Sequence, residues 1–228
     1  MVEKDKRQLF DQWPDAYDQW FSTPIGSLVK KYEAELILDL LRPEKGQVIL
    51  DAGCGTGIFT LDILSSGSKV IGLDISLPML IQAGKKLKEF PFRMVLADML
   101  HLPFSASLFD KVVSITALEF IWDANAAVRE LFRVTRTGGI LVVATLNSLS
   151  PWASKRMAEV RERHSIFEKV IFRSPDDLCS LAPVKGEVKT VIHFQKEDDP
   201  EAAVRIEGEG QRKNLNTGAF VAVGWEKK

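Results

Sequence analysis

This sequence predicts an α/β fold, with a mostly parallel sheet and helices on both faces, from three observations. Val48-Ile49-Leu50-Asp51 carries no charge until its last residue, as a strand buried on both faces does. That strand breaks at once into Gly53-Cys54-Gly55-Thr56-Gly57 and resumes as Ile58-Phe59-Thr60-Leu61, the order strand, tight turn, helix. Further apolar runs at 69–74, 92–96, 109–116 and 140–145 alternate with helical stretches, the rhythm of βαβ units.

The 228 residues, 46% hydrophobic and 27% charged, are enough for one buried core, so a single domain over 1–228 is expected. Lys and Arg total 30 against 31 Asp and Glu, a net charge of -1, so no global field favours nucleic acid or an anionic membrane, and no nucleic-acid partner is expected. Cys54 and Cys179 make neither a metal spacing nor a disulfide framework, and their scarcity suits a reducing cytoplasm. No run approaches the roughly 18 apolar residues of a membrane span, and Val2 to Arg7 precede no apolar h-region, so a cytoplasmic location is expected.

Glycine has no Cβ, so the turn at 53–57 can reach positive φ and lets a ligand approach the main chain, while a helix start beyond it suits a carboxylate or phosphate. A dinucleotide fingerprint counted from Gly53 puts Ile58 where its third glycine belongs, which disfavours NAD. Asp51-x-Gly53-x-Gly55-x-Gly57 instead resembles motif I of the class I S-adenosylmethionine-dependent methyltransferases. That resemblance implies a Rossmann-like, seven-stranded, mostly parallel sheet with a terminal antiparallel hairpin. It also implies S-adenosyl-L-methionine as cofactor, with the backbone at Gly53 and Gly55 facing its methionine part and Asp51 helping to hold its ammonium group.

Before the first strand, Trp13, Tyr17, Trp20 and Phe21 cluster on one helical face, Pro24 and Gly26 break the run, and a second helix from about Ser27 carries Leu36, Ile37, Leu40 and Leu41. Residues 1–42 are read as an amino-terminal helical lid. FDQWPDAYDQWFSTPIG resembles the leading segment of small-molecule methyltransferases near the ubiquinone and menaquinone biosynthesis group, which makes Tyr17 the aromatic expected over the cofactor.

Residues 43–152 are read as the cofactor-binding core. Gly67 ends the helix that follows the turn, and Lys69 to Asp74 is a second strand. Its terminal carboxylate lies 17 residues past Gly57, where an acid meets ribose hydroxyls, and a diol suits paired acceptor oxygens. The resemblance continues through Ile75, with Ser76 as a helix cap and Met79 against the adenine. Asp98 follows the third strand at the position that accepts from the adenine amino group in the family, and Met99 there offers a backbone N–H. Thr116 to Glu119 end the fourth strand, at the point where the sheet order should reverse, and so border the transferable methyl. No Asn-Pro-Pro-Tyr motif occurs, which lowers amide and nucleobase acceptors; ALEFIWD resembles the Leu-Glu-His-Val-x-Asp segment of the ubiquinone-related group but has Phe120 for its histidine.

Residues 153–187 are expected to be a helical insertion on the acceptor side, with Arg161, Arg163, His164 and a helix start at Ser174-Pro175-Asp176-Asp177. Residues 188–228 are expected to be a closing β-hairpin, Val188–Phe194 and Ala219–Trp225, joined by a charged solvent loop from Gln195 to Gly218. The expected reaction is in-line methyl transfer to a small-molecule or lipid-like acceptor, in which positioning and exclusion of water supply much of the rate. A hydroxyl or carbon acid would also need a base, for which Tyr17, Glu119 and His164 are in reach. Two alternatives remain: a non-catalytic cofactor-binding regulator, and a methyltransferase acting on protein or RNA.

Overall fold

The tips of five parallel strands all point to one edge of a seven-stranded sheet of order β3-β2-β1-β4-β5-β7-β6. A computed structural model describes residues 14–160 and 170–228, with side chains from 18 to 158 and from 170 onward. β1 (Val48–Ala52), β2 (Lys69–Asp74), β3 (Phe92–Leu96), β4 (Phe109–Ile115) and β5 (Thr135–Leu146) pair in parallel. β7 (Phe220–Glu226) runs antiparallel between β5 and β6 (Glu187–Val191). The reversal of order lies between β1 and β4, as expected, and opens a crevice at their carboxyl ends.

Helices α1 (Pro14–Phe21) and α2 (Pro24–Leu41) precede the sheet. Pro24, read from the sequence as a break, instead opens α2: its fixed φ suits the first helical position, and the Thr23 side chain caps the helix by accepting from the Gly26 N–H at 3.0 Å. Val29, Leu36, Ile37, Leu40 and Leu41 of α2 bury against one face of the sheet together with Ile49, Val113, Val142 and Phe220. On the other face Val128, Leu131 and Val134 of α5 (Ala124–Val134) pack with Leu50, Val112, Leu141 and Trp225. Each such fully buried aliphatic side chain stabilises the fold by about 1.5–3 kcal/mol. Alternate residues of one strand feed the two cores, so the charge-free runs in the sequence have a structural cause.

Short helices cross the sheet between strands: α3 (Thr60–Leu64) after the glycine turn, and α4 (Leu77–Lys86), whose expected cap Ser76 accepts from the Met79 N–H at 3.4 Å. The insertion holds α6 (Pro151–Val160) and α7 (Pro175–Cys179), the latter with the Ser174–Asp177 capping box that its sequence announces.

The segment from Gln195 to Gly218 is not a loop: Pro200–Arg212 is a helix, α8, through which the closing antiparallel pair β6–β7 is joined. Asp199 caps α8 by accepting from Glu201 and Ala202 N–H, and Ala203, Glu207 and Gly210 form its buried stripe. Gly210 is a site of close approach, because a Cβ there would lie 2.3 Å from Cγ of His193. Glu207 accepts from the His193 N–H at 2.7 Å, so an acid that reads as solvated in the sequence is buried with a partner. Gly138-Gly139 lies inside β5, at a register shift opposite Phe109 and Lys111.

Candidate active site

The glycine turn is held to the tip of β2. The N–H groups of Gly53 and Cys54 donate to the Leu73 carbonyl at 2.6 and 3.0 Å, and that of Gly55 donates to Asp74 Oδ2 at 2.8 Å. Gly53, Gly55 and Gly57 all have positive φ, +82°, +53° and +76°. At Gly53 space also decides: a Cβ would lie 2.4 Å from the Ala117 Cβ and 3.4 Å from Met99 Cε, so only glycine lets the turn meet the segment that follows β4.

Three acids stand on three adjacent strand tips. Asp51, at the end of β1, is buried and accepts from the Thr60 hydroxyl at 2.6 Å. Burial pushes its carboxyl up to about 7, the Thr60 hydrogen bond pulls it down and the neighbouring Asp74 charge raises it further. Asp74 ends β2; its Oδ2 accepts from the Gly55 N–H at 2.8 Å and its Oδ1 from the Ser76 N–H at 2.9 Å, which fixes the carboxylate at the strand tip. Asp98 lies just beyond β3 and turns the chain by accepting from the Leu100 N–H at 2.9 Å. Ile75 is half-buried beside Asp74, Met79 is buried at the start of α4, and buried Met99 lies between Gly53 and Ser114. A turn whose glycines leave the main chain open, beside three strand-tip carboxylates, fits a ligand bearing an ammonium group, a sugar diol and a purine.

On the other side of the crevice, Thr116 takes φ +46°, unusual for a β-branched residue, with its N–H on the Ala144 carbonyl at 2.9 Å. This bend sets Ala117 against Gly53 and starts the short 3-10 turn Leu118–Phe120, which carries Glu119 to the tip of β5. There the Thr145 hydroxyl donates to Glu119 Oε2 at 3.1 Å.

The structure thus brings together Asp51, Gly53, Gly55, Asp74, Ile75, Met79, Asp98, Met99 and Thr116 along one edge of the sheet. Tyr17 lies on α1 with its side chain outside the described residues, and Trp13, Arg161, Arg163 and His164 also fall outside them. The sequence reading missed Asp18, which accepts from Thr56 Oγ1 at 2.6 Å and from Lys86 Nζ at 2.7 Å and so fastens α1 to the glycine turn. It also missed Glu33 and Arg173, both buried. Glu33 did leave a signal, because it falls on the apolar stripe of α2 with Val29, Leu36 and Ile37, where a charge needs a reason.

Fold and site together define the class: residues 50–143 match the family described as methyltransferase domain, so this part of the chain is a methyltransferase domain of the class I kind. The chain is 36% identical over 118 residues to a malonyl-[acyl-carrier protein] O-methyltransferase of Salmonella typhimurium, an alignment covering 52% of this chain and 46% of that protein. It is 26% identical over 198 residues to a demethylmenaquinone methyltransferase of Thermobifida fusca, covering 77% and 83% of the two chains. The chain thus spans about half the length of the first relative. Among solved structures, a Thermotoga maritima SAM-dependent methyltransferase, described as a possible histamine N-methyltransferase, superposes with a TM-score of 0.70 at 20% identity over 98% of this chain and 100% of its own, a likeness of fold.

Proposed function

We propose that this chain transfers the methyl group of S-adenosylmethionine to a small-molecule or lipid-like acceptor. The observation that carries the reading is the row Asp51, Asp74 and Asp98 on consecutive strand tips beside a turn in which position 53 has no room for a side chain, within the stretch that matches the methyltransferase domain. In this reading Asp51 faces the ammonium group, Asp74 the ribose hydroxyls and Asp98 the adenine amino group, with Ile75 and Met79 against the purine. When bound, the cofactor supplies an electrophilic methyl on a sulfonium. The chain's own residues hold the acceptor in line and keep water out.

A small or lipid-like acceptor is supported by the relatives, which are named for malonyl-[acyl-carrier protein] and demethylmenaquinone. Trp122, Leu149, Met157 and Ile171 add support, because these exposed apolar side chains lie on the segments that follow β4 and β5 and would cover an apolar body. Among the described residues no helix is long and apolar enough to cross a membrane. A cytoplasmic setting suits the two free cysteines.

Calorimetry with S-adenosylhomocysteine tests the cofactor half, and binding is expected. Methyl-labelled cofactor incubated with a cell extract tests the other half, with label expected in the small-molecule or lipid fraction. Label confined to protein or RNA would overturn the acceptor class.

A further inference from the structure

At the opposite edge of the sheet from β3, a cavity of about 520 Å³ opens beside β6. α2 lines it with Tyr32, Glu35 and Asp39, β6 with Val188 to Val191, and the segment after α8 with Asn214 to Asn216. That segment is tied down. The Leu215 carbonyl accepts from the Thr190 hydroxyl at 2.6 Å, the Leu215 N–H donates to the Gly210 carbonyl at 3.1 Å, and Asn147 Nδ2 donates to the Asn216 carbonyl at 2.8 Å. The cavity is therefore built by the fold. It is also remote from the cofactor edge, because β4, β5 and β7 lie between β1 and β6, a separation of about 19 Å at the usual strand spacing.

Tyr32 is 9% exposed, and its ring packs against Phe194 with centroids 6.2 Å apart. Among the described residues its hydroxyl makes no hydrogen bond, yet it is not sealed in the core as the Trp225 indole N–H is: it lies at the cavity. A phenol buried to that depth ordinarily has a partner, and here an occupant of the cavity can supply it. The charges select that occupant. Glu35 and Asp39 stand one helical turn apart on α2. Asp39 holds Lys189 at 2.7 Å, and Lys189 also holds Glu187 at 2.8 Å. Among the described residues Glu35 meets only Lys31, at 4.0 Å. Three carboxylates thus face two ammonium groups, and Glu207, whose charge also reaches Tyr32, pairs with His193 at 3.2 Å and adds no net positive charge. Beside this deficit of one positive charge, Leu36, Val188, Val191 and Leu215 give the cavity an apolar track.

We infer that this cavity is a second ligand site, separate from the cofactor crevice, which takes a primary ammonium group on an aliphatic chain. The ammonium donates to the Glu35 carboxylate and to the Tyr32 oxygen, and the chain lies along Leu36, Val188, Val191 and Leu215. A carboxylate of the same length would meet Glu35 and Asp39 as like charges. A neutral alcohol could hydrogen-bond Tyr32 but would leave the charge of Glu35 unanswered.

Calorimetry with three probes of one shape tests the site: hexylamine, hexanol and hexanoate, each titrated into the whole chain at neutral pH. Hexylamine, present as its ammonium, is expected to bind about tenfold or more tighter than either of the others, and to weaken as salt is raised. Tyr32→Phe keeps the ring against Phe194 and removes only the oxygen, so hexylamine affinity should fall about 5–10-fold while the melting temperature stays at the wild-type value. Glu35→Gln, at a side chain more than half exposed, should cost about 2–5-fold, again with unchanged melting. Failure of hexylamine to bind overturns the proposal, as does equal or tighter binding of hexanoate or hexanol. A Tyr32→Phe protein that binds hexylamine as wild type does would also overturn it, by placing the amine elsewhere.

Discussion

The two halves of the crevice are built by different means. Around β1, β2 and β3 the contacts come from main chain and from acids that end strands, each next in sequence to the element that aims it. Around β4 and β5 they come from side chains of α2, the 3-10 turn, β5, α6 and the segment before α7, which meet only in the folded state. Main-chain recognition forbids a few substitutions absolutely, whereas side-chain recognition can be altered residue by residue. One half can therefore keep its ligand while the other changes acceptor.

Gly53→Ala should break that contrast most visibly. The added methyl meets Ala117 on a backbone already at φ +82°, so cofactor affinity measured by calorimetry should fall about 100-fold or more, equivalent to roughly 3 kcal/mol. Unchanged affinity would mean that the turn does not need its bare backbone. Next in size, Asp74→Ala removes the acceptor for Gly55 and Ser76 and a carboxylate for the ligand, with an expected loss of about 10–100-fold.

A pH experiment sharpens the comparison, because both halves bury acids. Asp51, Glu119 and Glu33 hold protons to about 7, 7 and 8 when folded, well above ordinary carboxylates. The folded state then binds more protons than the unfolded state, so stability is fully present below the unfolded pKa and is lost as pH rises through the folded values. The ligand-free protein should melt lower at pH 8 than at pH 6, by on the order of 3 kcal/mol or roughly 6–12 °C in a thermal scan. Glu119→Gln should flatten that slope, and cofactor should flatten it too by favouring ionised Asp51. The smallest effect is expected from Asp18→Ala, a partly exposed ion pair, with cofactor affinity down about 2–5-fold.

The same contrast explains what the sequence disclosed. A strand that ends in an acid and three glycines states its conformation locally, and Ser76 and Ser174 mark helix starts in the same way, so the cofactor edge could be read residue by residue. The helix Pro200–Arg212 was hidden by Gly208 and Gly210, which look like turn residues until His193 is seen to occupy the space of the missing side chain. Glu33, Thr145 and Arg173 had no local mark of partnership, since their neighbours are set by the crossing of α2 over the sheet and by the pairing of Arg173 with Asn147.

The hold of Asp18 on Thr56 and Lys86 joins α1 to the floor of the crevice. Were α1 to lift, the turn would lose that brace at the same moment, so such an opening would also loosen the seat. Release of spent cofactor and admission of a fresh molecule would then share one rate-limiting event, and a change anywhere along α1 would alter how fast the protein turns over without touching either reactant.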